Sequence, residues 1–182
     1  MLHRTIATSR PIALPHWQTE EGTYFVTFRL LDALPEALAR IRGGKRIERE
    51  LDRGLGSAHL ARNDIGQLVF DALRYFDGKR YCLHTACVMP NHVHSVFRTA
   101  RGIRLNEVMH AWKSFTAGRA NRLLGRQGAF WQRESYDRLI RDPNEFNRAN
   151  EYVLDNPVKA QLRAWKWVGR FDADFIVRYE GE

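Results

Sequence analysis

Between Tyr81 and Thr99 two β-forming runs, YCLHTACVM and HVHSVFRT, are separated only by Pro90-Asn91. A connection that short joins antiparallel neighbours, so the middle of this chain is predicted to be a β-hairpin. Every other element has to be arranged around it. Tyr24–Leu30 (YFVTFRL) alternates and is rich in β-formers, which predicts an earlier strand. Phe130–Ile140 predicts a later one. Two amphipathic segments fall between these strands. Asp64 with Gln67 reads as an N-cap and its capping-box partner, followed by apolar residues at Ile65, Leu68, Val69, Ala72, Leu73 and Phe76. Leu105–Leu124 carries Leu105, Val108, Met109, Trp112, Phe115 and Leu123 on one side and is broken by Gly125–Gly128. A last helix starts at Asp142, with Pro143 in the first turn and Glu145 completing a cap. Pro157 predicts its end near Asn156. The order β-α-β-β-α-β-α predicts an α+β protein. Its core is a ferredoxin-like split β-α-β antiparallel sheet with helices on one face, and a C-terminal helix follows.

The 182 residues suit one domain, 1–182, with a helical insertion at 33–63 and a C-terminal tail at 163–182. A hydrophobic content of 44% supplies a core and excludes a disordered or collagen-like chain. No apolar run approaches the ~18 residues of a membrane span. Met1–Pro15 lacks an apolar core of signal-peptide length, so a cytoplasmic protein is expected. Cys82 and Cys87 form no C-x-x-C pair, which argues against a structural zinc site or a disulfide framework.

The formal charge is +8, which points to a polyanion, nucleic acid before anionic membrane. The excess concentrates in Arg101–Asp142, with nine basic and four acidic residues. There Arg104, Lys113, Arg119, Arg122, Arg133 and Arg138 are interleaved with Trp112, Phe115, Phe130, Trp131 and Tyr136. Basic groups beside aromatic rings suit single-stranded nucleic acid. A solvated helix face with its rings turned inward is the plainer reading for most of them. If the basic residues form one track, it is expected beside the His92–His94 strand, running toward Tyr152.

His92-Val93-His94 puts two imidazoles on one face of a strand, a ready pair of metal ligands. Any strand can carry H-x-H, but the preceding Met89-Pro90-Asn91 makes the phrase more specific. Tyr152 and Asn156 lie four apart and share a helix flank. A phenol there can act as a nucleophile, and an amide oxygen one turn on can be a hard-oxygen metal ligand. Taken alone, Y-x-x-x-N-P is more simply a half-buried tyrosine with a C-terminal cap. Tyr136 is a second nucleophile candidate, without a polar partner one helical turn on.

MPNHVH, a helix containing WKSF, then FWQRESYDRLIRD, then EYVLDNPVKAQL resemble the REP-associated tyrosine transposases, among the HUH single-strand nucleases of IS200/IS605 type. The resemblance runs from Tyr24 to Leu162, weakest over Leu34–Asn63. It implies that His92 and His94 bind a divalent metal, Mg²⁺ or Mn²⁺, that Asn156 completes the metal site, and that Tyr152 is the nucleophile. It also implies a phosphate contact at Lys113. The implied activity is cleavage and strand transfer on single-stranded palindromic-repeat hairpins through a 5′-phosphotyrosine, by a bacterial monomer or, as in insertion-sequence relatives, a dimer. Two rivals stay open: a non-catalytic hairpin binder derived from a transposase, and an RNA-binding ferredoxin-like module.

Overall fold

A computed structural model describes residues 21–34, 50–51 and 56–171. The expected insertion and tail fall partly outside these residues. In chain order the elements are β1 (Thr23–Arg29), a short 3₁₀ turn, α1 (Asn63–Arg74), β2 (Tyr81–Val88), β3 (His92–Thr99), α2 (Leu105–Leu123), β4 (Tyr136–Leu139), α3 (Pro143–Lys159) and β5 (Val168–Arg170). They build one five-stranded antiparallel sheet in the order β4-β1-β3-β2-β5. The first four strands keep the split β-α-β arrangement, and the hairpin closes through Met89 N–H donating to His92 O at 2.8 Å. Among the described residues no helix is long and apolar enough to cross a membrane.

Alternation along the strands sorts side chains to two faces. Tyr24, Val26 and Phe28 of the first strand and Leu30 just after it join Leu83, Val93 and Phe97 in a core roofed by Ile65, Val69 and Leu73 of α1 and Val108, Met109 and Trp112 of α2. Trp112 Nε1–H donates to Tyr81 Oη, which itself donates to Leu73 O, both at 2.9 Å, so the buried polar tips are satisfied. The opposite face carries Phe25, Cys87, Met89 and Val96 under Ala149 and Val153 of α3. A β-bulge between Leu83 and Thr85 decides which residues of β2 face α3. It inserts an extra residue at His84, and His84 and Thr85 both reach α3, through the Phe146 ring at 4.8 Å and Asn150 Oδ1 at 2.8 Å. Beyond the bulge the alternation is inverted: Ala86 and Val88 enter the α1–α2 core, and Cys87 lies under α3.

Four boundaries differ from the sequence expectation. α1 begins one residue before Asp64, because Gly66 N–H closes its first turn on Arg62 O at 2.8 Å. Arg62 grips the Asp64 carboxylate at 2.7 Å, and that ion pair holds the carboxyl below its ordinary pKa. The strand expected at Phe130–Ile140 shrinks to Tyr136–Leu139, with one isolated bridge from Trp131 to Leu30. Between them the backbone is drawn toward α2, where Lys113 Nζ donates to Gln132 O, Arg133 O and Ser135 Oγ at 2.8, 2.8 and 3.1 Å. α3 passes Pro157 and ends at Lys159. Proline removes only its own donor, and the Asn156 and Pro157 carbonyls still accept from Ala160 and Leu162 N–H at 3.0 and 2.8 Å. Finally, the tail contributes β5 on the free edge of β2. Trp167 is buried beside it, and its ring lies so near Gly66 that a Cβ there would sit 2.8 Å from it.

Candidate active site

The functional side chains gather on the α3 face of the sheet. His92 and His94 are fully buried, and their Nε2 atoms meet at 2.9 Å. Asn91 Nδ2–H donates to Leu51 O at 3.3 Å, which turns the Asn91 oxygen toward His92 Nδ1 at 2.6 Å. That oxygen only accepts, so His92 carries its proton on Nδ1 and presents Nε2 as an acceptor. Thr27 Oγ1 lies 2.8 Å from His94 Nδ1. With His92 Nε2 an acceptor, the short contact is His94 Nε2–H donating to it, and Thr27 Oγ1–H donates to His94 Nδ1. Because a hydroxyl donates or accepts, Thr27 would equally support the other His94 tautomer if a metal took the proton's place. Burial pushes the His92 pKa down to about 3; burial and then the His92 charge push His94 well below its ordinary value. Both imidazoles are therefore neutral at pH 7, the form that ligates a metal.

α3 brings up the other two. The Tyr152 ring stands edge-on to His94 at 5.3 Å and to Phe25 at 5.7 Å. Lys159 Nζ lies 5.5 Å from the Tyr152 ring centroid. Asn156 is buried one turn on; its Nδ2–H donates to Tyr152 O at 3.4 Å, while among the described residues its Oδ1 has no hydrogen-bond partner. An orphaned buried carbonyl oxygen is costly and calls for a partner. Among the described residues no three His, Cys, Asp or Glu side chains gather as metal ligands, and the Asn156 oxygen is the buried acceptor on α3 left without a partner. Two neutral imidazoles whose Nε2 atoms face each other and a hard amide oxygen are a donor set that fits a divalent cation. The helix is pinned where this requires: Asn150 Oδ1 accepts from Thr85 Oγ1 at 2.8 Å, and Asn150 Nδ2–H donates to Phe146 O at 2.9 Å.

The structure thus brings His92, His94, Tyr152 and Asn156 to one region. Tyr136, the second nucleophile candidate, is on the edge strand β4, 37% exposed, with its ring 6.2 Å from Phe25. Phe25 lies between it and His94. The basic residues are dispersed. Arg104, Arg119 and Arg122 belong to the N-cap and outer turns of α2, across the sheet from the histidines. Arg104 pairs with Glu107 at 2.8 Å, and Arg119 covers the Phe115 ring at 4.6 Å. Lys113 spends its three donors on the 132–135 loop, whose Arg133 is exposed. Of the six, Arg138 reaches the site face, over Phe25 at 5.9 Å and paired with Glu145 at 2.9 Å. The single basic track beside the His92–His94 strand is not formed, because α2 and the histidines lie on opposite faces. A groove of about 580 Å³ between α2 and residues 128–137 is likewise on the far face.

Three residues at the site escaped the sequence reading. Asn91 was visible only as a turn residue. Thr27 and Arg29 alternate with apolar residues in YFVTFRL, and polar residues on one face of a buried strand were the available signal.

Residues 67–156 match the family described as transposase, IS200-like. Among curated proteins no significant match is found. Seven chains of solved structures match. One is a REP-associated tyrosine transposase bound to a REP hairpin, with TM-score 0.60 and 17% identity, covering 92% of this chain and 86% of that one. At that identity the likeness establishes the fold. Another, from Deinococcus radiodurans R1 and provisionally described as a transposase, has TM-score 0.44 and 13% identity over 83% of this chain and 98% of that one.

Proposed function

The chain belongs to the IS200-like transposase family, and from that premise we propose that it is a divalent-metal-dependent endonuclease and strand transferase acting on single-stranded palindromic-repeat hairpins. The observation that carries this reading is the meeting of two neutral imidazoles, Nε2 to Nε2 at 2.9 Å, beside the Tyr152 ring. His92, His94 and Asn156 would hold Mg²⁺ or Mn²⁺, which when bound neutralises a phosphodiester's charge and makes its phosphorus more electrophilic. Tyr152 Oη forms the bond to phosphorus and releases its proton to solvent. The P–O3′ bond breaks, and its electron pair leaves on the 3′ oxygen, which takes up a proton. The products are a 5′-phosphotyrosine and a free 3′-OH. The covalent link preserves the phosphodiester's bond energy, so another 3′-OH can attack it and join two strands.

Thr27 and Asn91 hold the imidazoles in place through their Nδ1 atoms. The Thr85–Asn150 contact fixes α3 on the sheet, so Tyr152 does not search for its position. One chain supplies all four side chains, which supports action as a monomer. The likeness to a hairpin-bound REP-associated transposase supports the choice of substrate.

The test is a single-stranded repeat-hairpin oligonucleotide incubated with Mg²⁺ or Mn²⁺ and resolved on a denaturing gel. The wild type is expected to give a covalent protein–DNA adduct and Tyr152→Phe none. An adduct at the wild-type rate in Tyr152→Phe would remove Tyr152 as nucleophile and return Tyr136 to consideration. Salt-dependent hairpin binding with no cleavage under any divalent metal would favour the non-catalytic binder.

A further inference from the structure

Arg29 ends β1 directly opposite His92 in the antiparallel register. Alternation places its side chain on the face that carries Phe25 and Thr27, the face of the histidines. Directly opposed residues have their Cβ atoms about 4.5–5.5 Å apart, well within the reach of an arginine. The backbone is anchored, since Gln132 N–H donates to Arg29 O at 2.9 Å. Among the described elements α3 makes its main contacts with β2, β3 and β5, and at the β4 edge of the same face Tyr136 is partly exposed.

The charge is the unusual feature. Arg62, Arg104 and Arg138 are each paired with a carboxylate within 3 Å. Arg29 is half-buried, and among the described residues no acidic side chain is paired with it. Burial lowers its pKa from the ordinary value, with no neighbouring anion pulling it back up. A guanidinium stays protonated regardless, so the protein holds a partly desolvated cation without compensation. Such a charge costs stability unless an anion meets it. The orphaned Asn156 Oδ1 has the same character, a buried polar atom without a partner among the described residues.

We propose that Arg29 is a phosphate-binding residue of the active site, pairing with a phosphodiester of the single strand beside His92. The inference rests on the nuclease reading for its substrate but not for its test. Arg29, itself half-buried, would hold the strand at the β1 end of this face, with its planar donor fork on two non-bridging oxygens.

The experiment measures equilibrium binding of a single-stranded repeat hairpin in EDTA, in a Tyr152→Phe background, so that neither metal nor chemistry contributes. Arg29→Met is expected to weaken binding roughly 10- to 100-fold, the range for a charge-assisted contact. The salt slope should fall by about 0.7, the value for one phosphate on a single strand. Methylphosphonate substitution, walked one linkage at a time, should find one position that weakens the parent protein and leaves Arg29→Met unaffected. Arg29→Lys should recover part of the affinity. The melting temperature of Arg29→Met should be unchanged or higher, because an uncompensated charge has been removed. A lower melting temperature with unchanged hairpin affinity and salt slope would make Arg29 a structural cation and overturn the proposal. An adduct-forming enzyme whose affinity ignores Arg29 would overturn this inference alone. Arg29-dependent binding without any adduct would leave the phosphate site standing and remove the nuclease.

Discussion

The pair of buried neutral histidines should make the metal-free protein sensitive to mild acid. An unfolded imidazole takes up its proton near pH 6.5, whereas burial delays this for His92 to about 3. Between those values the unfolded chain binds more protons than the native one, so stability rises with pH through this window. It is fully present above about pH 7 and is lost as the pH falls toward 3. At pH 5 His92 lies about 1.5 pH units below its unfolded pKa, which at 1.36 kcal/mol per unit removes roughly 2 kcal/mol. His94 acts in the same direction. For a domain of this size each kcal/mol shifts the melting temperature by roughly 2–4 °C, so His92 alone predicts a drop of roughly 4–8 °C from pH 7.5 to 5. Asp64 and Glu107 do not confuse the window, because Arg62 and Arg104 hold their carboxyls below the ordinary range. The assay is thermal melting by circular dichroism in EDTA at constant ionic strength. The double variant His92→Gln/His94→Gln, which cannot titrate there, should lose most of the slope. A wild-type melting temperature that is flat from pH 7.5 to 5 would mean that the native imidazoles accept protons freely, and the account of a neutral, desolvated ligand pair would fail.

Two further outcomes test the packing that positions the site. Gly66→Ala puts a Cβ 2.6 Å from Leu60 O and 2.8 Å from the Trp167 ring; it should destabilise by about 1–3 kcal/mol in urea unfolding and loosen the tail strand from β2. Lys113→Met strands the three acceptors that its ammonium now serves; it should lower stability by about 1–3 kcal/mol while changing hairpin affinity less than about twofold, the opposite of a phosphate contact.

The sequence by itself determined the local elements and their order. The His92–Thr99 strand, the Leu105 start of α2 and the Asp142 cap of α3 are legible because strand alternation and capping are properties of neighbouring residues. Glu145 N–H does donate to Asp142 Oδ1, at 2.8 Å. His92 and His94 share a face for the same local reason, and Tyr152 and Asn156 share a helix flank. Which face of the sheet each group occupies was a tertiary matter. The bulge at His84 inverts the alternation of β2, and nothing in YCLHTACVM marks it. The three residues of β5 are too few to show a period and exist as a strand because the edge of β2 is free to pair. The Arg-rich stretch is contiguous in sequence, yet the sheet separates α2 from the histidines, so sequence proximity failed as a guide to a DNA track. Arg29 shows the converse. It looks like an ordinary end of a strand until the β1–β3 register sets it opposite His92, and the lack of a carboxylate partner becomes visible only when the surrounding side chains are in place. Pairing, burial and compensation of charge depend on residues distant in the chain, and only the folded arrangement decides them.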